Sequence, residues 1–485
     1  MNTNTSEHRR NNFETSQIPR AAGKAPTLVP RHQRSRVHFL EILFRLLDDS
    51  GVRYCVLHSW EGIPEELPSD LDLAVHPADA AKLPRVMAAV RAQGYRPVQC
   101  LNYFVNAYYF VFFWEEEDGA IDFAAIDIIF EHRRNGLIAP SGEELVEGRR
   151  RYKGFWIPDP AAEFVYLLAK KTWKGGVSGQ QEKRIRFLAR QLGRARTEEL
   201  AGRLFLGKQK TRVVDACYAG NLDEVLSRAK CSPRFTSLAR DPLQSFGYVV
   251  AEAVRQVRRW FRPTGRFVVI LGPDGSGKTS VIKGLIDTVG PAFRRHRVFH
   301  WRPMLLCPRK DAGPVTDPHA QAPRSPRSSS FRIFFLLLDY WVGYALIIRP
   351  FLARSGLVIF DRYFDDLLVD PRRYRYGGPS WLVRTLLGFV PRPDLVLFLD
   401  TPKEQLLSRK REVPWQEVQR QRQAYLELAR EYPTARIIDA SHPLPQVVAQ
   451  GWRAVADDLA ARFEQRHRGW CASDLPGQPA VYLQP

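Results

Sequence analysis

One segment constrains this chain more than any other: an apolar run at residues 267–271 leads directly into a glycine-rich loop at residues 272–279. The loop reads Gly-Pro-Asp-Gly-Ser-Gly-Lys-Thr, which fits the spacing G-x-x-x-x-G-K-[ST]. Glycines at these positions let backbone N–H groups converge on phosphate oxygens, and the helix that follows points its positive end at the same place. The pattern therefore predicts a strand, a phosphate site and a helix in succession.

The polar side chains of this loop have separate expected roles. Lys278 is expected to neutralise the β and γ phosphates of a nucleoside triphosphate, and the Thr279 hydroxyl is expected to bind Mg²⁺. The other predicted nucleotide-binding residues are Gly272, Asp274, Gly275, Ser276, Gly277 and Ser280. ATP and Mg²⁺ are therefore the predicted donor and cofactor.

A second signal follows the apolar run at residues 357–360, where Asp361 and Arg362 stand at the carboxyl end of a predicted strand. Open parallel sheets bind ligands at that end. Asp361 is expected to order the magnesium ion or its waters, and Arg362 to offset charge on the transferring phosphoryl group. With Lys278, these residues form a candidate catalytic set.

Short apolar runs alternate with helical segments throughout this part of the chain. The runs fall at residues 267–271, 298–300, 357–360, 395–399 and 435–438. This order is typical of an α/β fold with a mainly parallel sheet and flanking helices. Residues 308–330 are rich in Pro, Ser and Arg, so we expect a mobile loop that closes over substrate.

Over residues 265–462 the chain resembles the thymidylate kinase family. The resemblance is carried by the phosphate loop, by the triplet Asp361-Arg362-Tyr363, and by Leu399-Asp400-Thr401-Pro402-Lys403-Glu404 with Arg409 after it. It implies that Asp274 lies toward the acceptor and that Arg362 touches phosphate. It also implies that Arg409 and Arg411 close on ATP as a lid, although a solvated basic helix face explains those two arginines equally well.

Two departures from the family pattern concern the acceptor. The family has an Asp-Arg pair on the helix before the triplet, whereas this chain reads Asp339-Tyr340, so the acceptor-binding arginine is missing. His300-Trp301-Arg302-Pro303 matches the family's Arg-Glu-Pro only loosely. We therefore expect thymidylate to react poorly. The acceptor is predicted to be a nucleotide or another small molecule, glycan-linked and lipid-linked ones included.

The acceptor wall is expected at residues 361–379. The polar side chains that single out this stretch are Asp365, Asp366, Asp370 and Tyr374.

Upstream, residues 69–75 place Asp70 and Asp72 at alternate positions of a predicted strand. Alternate residues leave the same face of a strand, so both carboxylates can hold the divalent ions that two-metal nucleotidyl transfer requires. A later strand offers Asp127 as the third metal ligand, with Asp122 as its rival. These two acids are five positions apart and face opposite sides of an unbroken strand, so only one can join the pair.

This layout resembles the nucleotidyltransferase superfamily over residues 37–180, although His58-Ser59 stands where Gly-Ser is usual. The resemblance implies that Lys170, Lys171 and Lys174 contact phosphates; a solvated basic face explains them as well. The same region is expected to contain a helix at residues 79–93 and a hairpin of residues 108–114 with 120–130. A catalytic domain and a binding or regulatory domain on the same scaffold both stay open.

The chain of 485 residues is too long for one ordinary core. The predicted division is a disordered basic tail at residues 1–35, an α+β nucleotidyltransferase-like domain at 36–180, a helical connector at 181–262, a P-loop domain at 263–465 and a tail at 466–485. The net charge of +20 favours triphosphates, polyanions or an anionic membrane surface as partners. No recognisable module or stripe with stacking aromatics indicates a specific nucleic acid.

The six cysteines lack paired C-x-x-C spacing and the polar N-terminus has no apolar stretch, so we expect a cytoplasmic protein. The apolar run at residues 333–348 is interrupted by Asp339 and bracketed by Arg332 and Arg349. A bilayer span needs about 20 apolar residues without a central charge. We expect a buried helix there, with peripheral membrane contact and oligomerisation left open.

The leading prediction is an ATP- and Mg²⁺-dependent phosphotransferase that acts on an unidentified small-molecule acceptor. The first alternative is a regulator that binds the nucleotide without turnover. The second is a nucleotidyltransferase that acts through the N-terminal domain.

Overall fold

The computed structural model describes residues 35–66, 70–116, 119–134, 137–138, 140–229, 241–289, 292–306, 322–402, 404–406 and 415–467. Helix α1 (Arg36–Asp49) begins where the Ser35 hydroxyl accepts a hydrogen bond from the His38 N–H. The buried side chains of α1 recur at helical spacing and belong to the core of the first sheet: Phe39, Leu40, Ile42, Leu43, Phe44 and Leu47.

The N-terminal sheet is mixed and has five strands. They are β1 (Tyr54–Val56), β2 (Leu71–Val75), β3 (Arg96–Phe104), β4 (Ala107–Glu115) and β5 (Ile121–Ile129), in the spatial order β1-β2-β5-β4-β3. Only β2 and β5 pair in parallel, and the other neighbours are antiparallel. The predicted hairpin is confirmed as the β4–β5 pair.

The structure differs from the sequence analysis at two places in this region. The predicted helix at 79–93 is shorter: α2 spans Leu83–Ala92 and follows a separate 3₁₀ turn, Pro77–Lys82. Strand β3 was missed, because its sequence alternates poorly and its pairing with β4 contains register shifts. The pairing with β4, which is long-range information, makes this segment a strand.

Smaller elements complete the region: β6 (Arg133–Arg134), β7 (Leu137–Ile138), α3 (Gly142–Val146), β8 (Arg150–Tyr152) and β9 (Phe155–Ile157). Helix α4 (Pro160–Lys174) follows them. Its start is fixed by the Asp159 carboxylate, which accepts from two backbone N–H groups, and its end by Gly175 at a φ of 78°.

Five helices follow: α5 (Gly179–Leu192), α6 (Arg194–Ala201), α7 (Gly207–Ala219), α8 (Leu222–Arg228) and α9 (Pro242–Phe261). Apolar residues from α5 to α8 share one buried cluster with α4, so these four helices extend the N-terminal unit. Helix α9 is different, because its buried residues are only Ser245 and Tyr248.

The C-terminal sheet has five strands, all parallel: β10 (Arg266–Leu271), β11 (Arg295–His300), β12 (Gly356–Asp361), β13 (Leu395–Asp400) and β14 (Ala435–Asp439). Their order is β11-β12-β10-β13-β14. The predicted parallel α/β sheet is therefore confirmed. Strands β10 and β12 are neighbours, so the phosphate loop and Asp361 lie at the same edge of the sheet.

The helices of at least four residues that the structure describes around this sheet include α10 (Lys278–Val289), α11 (Pro326–Gly343), α12 (Asp366–Val369), α13 (Ser380–Leu387), α14 (Trp415–Glu431) and α15 (Leu444–Arg466). Helix α11 runs on without a break to Ala353. By length and composition alone, the combined helix Pro326–Ala353 is the one helix in the described ranges that is able to cross a bilayer. The expectation of a buried helix holds for only one face of this helix. Several large apolar residues on its other face are exposed.

The two sheets share a core at α15. Val98, Val111 and Phe123 of the first sheet lie in one apolar cluster with Val268 of β10 and Trp452 of α15. The N-terminal and C-terminal units therefore form a continuous packed body at this junction.

One buried cation ties this junction together. The guanidinium of Arg462 donates to the Gln99 side-chain oxygen at 2.7 Å and to the carbonyls of Thr264 and Gly265 at 2.8 and 2.9 Å. Gln99 in turn donates to the carbonyl of Ala292 at 3.0 Å. Arg462 thus connects β3, the start of β10 and α15.

Replacement of Arg462 by Met should destabilise the protein by about 2–4 kcal/mol, because three buried acceptors each lose a charged donor. Urea denaturation followed by circular dichroism measures this change. Arg384→Met is the control: Arg384 is exposed and its pair with Glu431 is long, at 3.5 Å, so the free energy of unfolding should change by less than about 0.5 kcal/mol. Equal effects of the two substitutions would contradict the assigned role.

Candidate functional site

The loop between β10 and α10 has a backbone that favours glycine. Gly272, Gly275 and Gly277 have φ values of 154°, 86° and 85°. A Cβ on Gly272 would lie 3.0 Å from the carbonyl oxygen of Leu399 and from Ser276 Oγ, so a side chain there would be crowded. The Val281 N–H donates to the carbonyl of Gly277 at 3.0 Å and begins the helix. The loop is therefore shaped as a backbone cradle at a helix N-terminus.

Lys278 is buried inside this cradle. Its Nζ donates to the backbone carbonyls of Gly272 and Pro273, each at 2.8 Å. Burial, together with the nearby charge of Arg362, lowers the pKa of Lys278 to about 7. A polyphosphate placed here would relieve that burial penalty, because it would offer the ammonium group negative charge in place of neutral carbonyls.

Polar atoms around the loop suit a magnesium–phosphate ligand. Among the described residues, Ser276 Oγ and Asp361 Oδ1 are buried with no hydrogen-bond partner, which is uncommon for buried polar atoms. Thr279 is exposed in the first turn of α10. Hydroxyl and carboxylate oxygens are the ligands that Mg²⁺ prefers, so these three residues fit the ion expected beside a triphosphate.

Asp361 stays ionised at neutral pH. Burial alone would raise its pKa, but the hydrogen bond with His300 and the charge of Lys278 outweigh burial and lower it. The His300 ring nitrogen lies 3.3 Å from Asp361 Oδ2. Because Ile270 and Asp361 are register partners, the carboxylate stands next to the start of the loop.

Arg362 does not face an open phosphate site in this structure. Its Nη1 donates to Asp366 Oδ2 at 2.6 Å, and its Nη2 binds the carboxylate of Asp274. The residue has a φ of 71°, a region that residues other than glycine rarely occupy, and such strain is often found at functional sites. In this geometry Arg362 holds the loop against α12 and acts as a positioning residue.

A second arginine, Arg373, binds the same loop carboxylate of Asp274. Asp366 is held from the other side by the hydroxyls of Tyr374 at 3.1 Å and Tyr425 at 2.9 Å. Sequence reasoning included Asp366 and Tyr374 in an acceptor wall but missed Arg373 and Tyr425. Arg373 lies inside the predicted wall, so its position could have been noticed; Tyr425, on α14, carries no local signal.

Beside Arg373 lies a cavity of about 450 Å³. The side chains that line it are mainly basic or aromatic: Trp301, Arg302, Arg324, Phe331, Arg332, Phe335, Arg373, Tyr374, Arg375 and Tyr376. The rings of Trp301 and Tyr374 stack at 4.2 Å between centroids. The cavity is therefore suited to an anionic molecule with a planar or apolar part.

The unusual Asp339-Tyr340 pair supports one wall of this cavity. Asp339 is fully buried and accepts from Arg302 at 3.0 Å and from the backbone N–H groups of residues 304, 305 and 306. The Tyr340 hydroxyl donates to the carbonyl of Trp301. Both residues hold the turn that presents Trp301 and Arg302, so neither is placed to bind a base.

Three arginines of the cavity form a cluster of like charge. The pKa of Arg324 is lowered by burial and by the charges of Arg332 and Arg375. Arg324 and Arg375 donate to the carbonyls of Tyr374 and Ala322. This part of the cavity favours an anionic group.

Some predicted elements lie outside the described residues. Arg409 and Arg411 are among them, as are residues 308–321 of the predicted mobile loop. Their roles stay predictions. The predicted end of that loop was wrong, because residues 326–330 form the start of α11.

In the N-terminal sheet, Asp72 of β2 and Asp127 of β5 are direct register partners. Asp122, the rival of Asp127, instead binds Arg36 of α1 at 2.7 Å. The structure therefore brings Asp127 beside Asp72. Asp70 directly precedes β2.

Asp72 is paired with Lys170 and His58. Its oxygens lie 2.7 Å from Lys170 Nζ and 2.8 Å from the His58 ring, which outweigh burial and hold its pKa below the ordinary range. Asp127 accepts from the hydroxyl of Tyr103, and burial together with the charge of Asp72 raises its pKa to about 7. Within the described ranges, no three acidic, His or Cys side chains are arranged to hold a metal ion.

Comparison with known proteins concerns the C-terminal part. The family model described as Thymidylate kinase matches residues 270–450. A thymidylate kinase of Xanthomonas campestris pv. campestris (strain B100) is 31% identical over 212 residues, 41% of this chain and 87% of that protein. A thymidylate kinase of Latilactobacillus sakei subsp. sakei (strain 23K) is 27% identical over 219 residues, 41% of this chain and 99% of that protein.

The acceptor wall contains a buried carboxyl whose titration should be visible in stability. Asp365 is 1% exposed and accepts from the Tyr432 hydroxyl at 2.5 Å, and burial raises its pKa from 3.8 to about 6. Because the folded protein holds this proton more tightly than the unfolded chain, the carboxyl stabilises the fold below about pH 4. That contribution is lost as the pH rises through about 6.

Asp365→Asn should therefore gain stability relative to wild type as the pH rises from about 4 to 7, by about 2–3 kcal/mol over that interval. Urea denaturation at a series of pH values measures the difference. Asp287→Asn, a change at an exposed position of α10, is the control and should show no such trend. A difference between Asp365→Asn and wild type that is constant across this range would contradict the prediction.

Proposed function

Because the chain belongs to the thymidylate kinase family through its C-terminal domain, we propose that this domain transfers the γ-phosphoryl group of ATP to an anionic acceptor bound in the arginine-lined cavity. One observation carries the proposal. The carboxylate of Asp274, within the phosphate loop, binds Arg373, which lines the cavity. A donor bound to the loop and an acceptor bound in the cavity would therefore lie next to each other, with the Asp274–Arg373 ion pair at the boundary between them.

Residues of the loop and of the end of β12 bind different parts of the donor. Backbone N–H groups of residues 275–279 and the ammonium of Lys278 bind the β and γ phosphates. Ser276, Thr279 and Asp361 would hold Mg²⁺, which would offset charge on the polyphosphate. Arg362 fixes Asp274 so that the loop keeps its shape during transfer.

Transfer forms one bond and breaks another. An acceptor oxygen attacks the γ phosphorus, the bond from that phosphorus to the β–γ bridging oxygen breaks, and ADP leaves. Positioning and charge stabilisation supply most of the catalysis in such reactions. Arg373 is placed at the boundary of the two sites, where it can stabilise charge on the group in transit.

The cavity favours acceptors other than thymidylate. At the position where the family carries its acceptor-binding arginine stands Tyr340, whose hydroxyl is committed to the carbonyl of Trp301. The stacked pair Trp301 and Tyr374 accommodates a planar or apolar group, and the cluster Arg324, Arg332 and Arg375 accommodates an anionic group. The proposed acceptors are nucleotides and phosphorylated glycan-linked or lipid-linked molecules.

A second candidate function is a nucleotide-dependent regulator that binds ATP without turnover. One contact favours it. Arg294, which follows α10, lies over the ring of Tyr103 at 4.6 Å, and Tyr103 binds Asp127 in the N-terminal sheet. Nucleotide binding next to α10 would thereby affect the upstream acids through this contact.

Nucleotidyl transfer by the N-terminal sheet is a third candidate function, favoured by the side-by-side placement of Asp72 and Asp127. Its test is the transfer of label from a labelled nucleoside triphosphate. Asp70→Asn should abolish this transfer, and Lys278→Ala should preserve it.

Lys278→Ala should reduce acceptor-dependent ADP formation by at least about 100-fold, because the charge that holds the γ phosphate is removed. The assay measures ADP from ATP and Mg²⁺ with a pool of nucleotides and phosphorylated small molecules, thymidylate among them. Lys283→Ala, a change at an exposed position of the same helix, is the matched control and should keep wild-type activity. Tight ATP binding without any stimulation of ADP formation by acceptors would favour the regulator instead.

Arg332→Gln should raise the KM for the best acceptor from that pool by about tenfold, with little change in kcat, because a charged contact made equally in the ground and transition states is lost. Steady-state kinetics with the acceptor varied at saturating ATP measures both constants. Arg384→Gln, an exposed site on α13, is the control. An unchanged KM for every acceptor would show that the cluster does not bind the acceptor.

A further inference from the structure

Helix α9 turns an apolar side away from the protein. The exposed apolar residues recur every three or four positions and form one stripe along the helix, with exposures from 46% to 84%; we call them the α9 stripe, and they are Leu243, Phe246, Val250, Val254, Val257 and Phe261. On an ordinary surface helix such a stripe faces the core. Here it faces outward.

The opposite, polar side of α9 anchors the helix. Arg255 donates to the carbonyl of Asn102 in β3 at 2.8 Å, and Arg259 donates to Ser355 Oγ, just before β12, at 2.7 Å. Burial lowers the pKa of Arg259 to about 10, which reflects how closely this side of α9 packs. Because these contacts reach both the N-terminal and C-terminal units, they fix the orientation of the stripe.

A second exposed apolar surface lies next to the end of α9. Arg349, on the combined helix Pro326–Ala353, donates to the carbonyl of Phe261 at 2.9 Å. The combined helix exposes further large apolar side chains outside the cavity: Phe334, Leu338, Trp341 and Leu346. Its other face is buried in the C-terminal core, so it is held at the surface and does not cross a bilayer as a free span.

Charge decides what covers the stripe. Arg258, Arg262 and Arg354 are exposed around the C-terminal end of α9, and Trp260 is 41% exposed there. An apolar stripe flanked by arginines and a tryptophan is typical of helices that lie in the interface of an anionic bilayer. A second copy of the chain would bring two molecules of net charge +20 together, which repel each other.

We propose that the α9 stripe docks this protein on the surface of an anionic lipid bilayer, with α9 lying in the plane of the interface. Apolar side chains of the stripe enter the boundary between headgroups and acyl chains, while the flanking arginines contact lipid phosphates. This role is independent of the kinase reaction, because no residue of the stripe belongs to the loop or the cavity.

The test is co-sedimentation of the full chain with vesicles of phosphatidylcholine alone or of phosphatidylcholine mixed with phosphatidylglycerol. We expect binding to the mixed vesicles that weakens with salt, and little binding to phosphatidylcholine alone. The double variant Val254→Gln with Val257→Gln should bind the mixed vesicles at least about tenfold more weakly. Leu444→Gln, a change at an exposed apolar residue of α15, is the matched control and should bind like wild type.

Both variants alter exposed side chains, so circular dichroism and the ADP-formation assay should match wild type and show that folding is unaffected. Three results would overturn the proposal. The first is no binding of the wild type to mixed vesicles, and the second is equal binding by the double variant. The third is a wild-type dimer in light scattering that the double variant converts to monomer, because the stripe would then be an interface between copies.

Discussion

The C-terminal site depends on the ion pairs that the Asp274 carboxylate makes with two arginines. This carboxylate receives Arg362 from one side and Arg373 from the other, so the phosphate loop, the end of β12 and the cavity wall are tied at one point. Arg362 extends the tie to Asp366, which two tyrosine hydroxyls hold in turn. A buried network in which each charge has partners rigidifies a site, and it makes each member costly to remove.

The N-terminal unit is part of the same packed body. Arg462 and Gln99 bridge the two sheets, and apolar residues of β3 to β5 pack in the cluster that contains β10. The contact of Arg294 with Tyr103 lies between α10, the helix that follows the phosphate loop, and the neighbouring acids Asp72 and Asp127. The C-terminal domain is therefore fixed against the N-terminal unit by a shared core.

The features predicted correctly from the sequence are those that depend on residues close together in the chain. The loop at residues 272–279 and the five parallel strands followed from glycine spacing and apolar runs, because the backbone needs of a phosphate cradle leave little freedom. Long-range pairing was beyond reach: strand β3 is ordered by its partner β4, and Arg373 becomes part of the site only when the fold brings it to Asp274. The outward side of α9 was equally hidden, because a periodic stripe alone predicts a core-facing helix.

The most direct test of the central claim is calorimetric titration of the protein with Mg–ATP at about pH 8, in two buffers that differ in ionisation enthalpy. Because burial holds the pKa of Lys278 at about 7, the free lysine is mostly neutral at this pH and should regain its charge against the polyphosphate. The account predicts that Mg–ATP binds with uptake of about one proton. Lys278→Met should abolish this proton uptake. Absence of binding, or binding with no proton uptake, would contradict it.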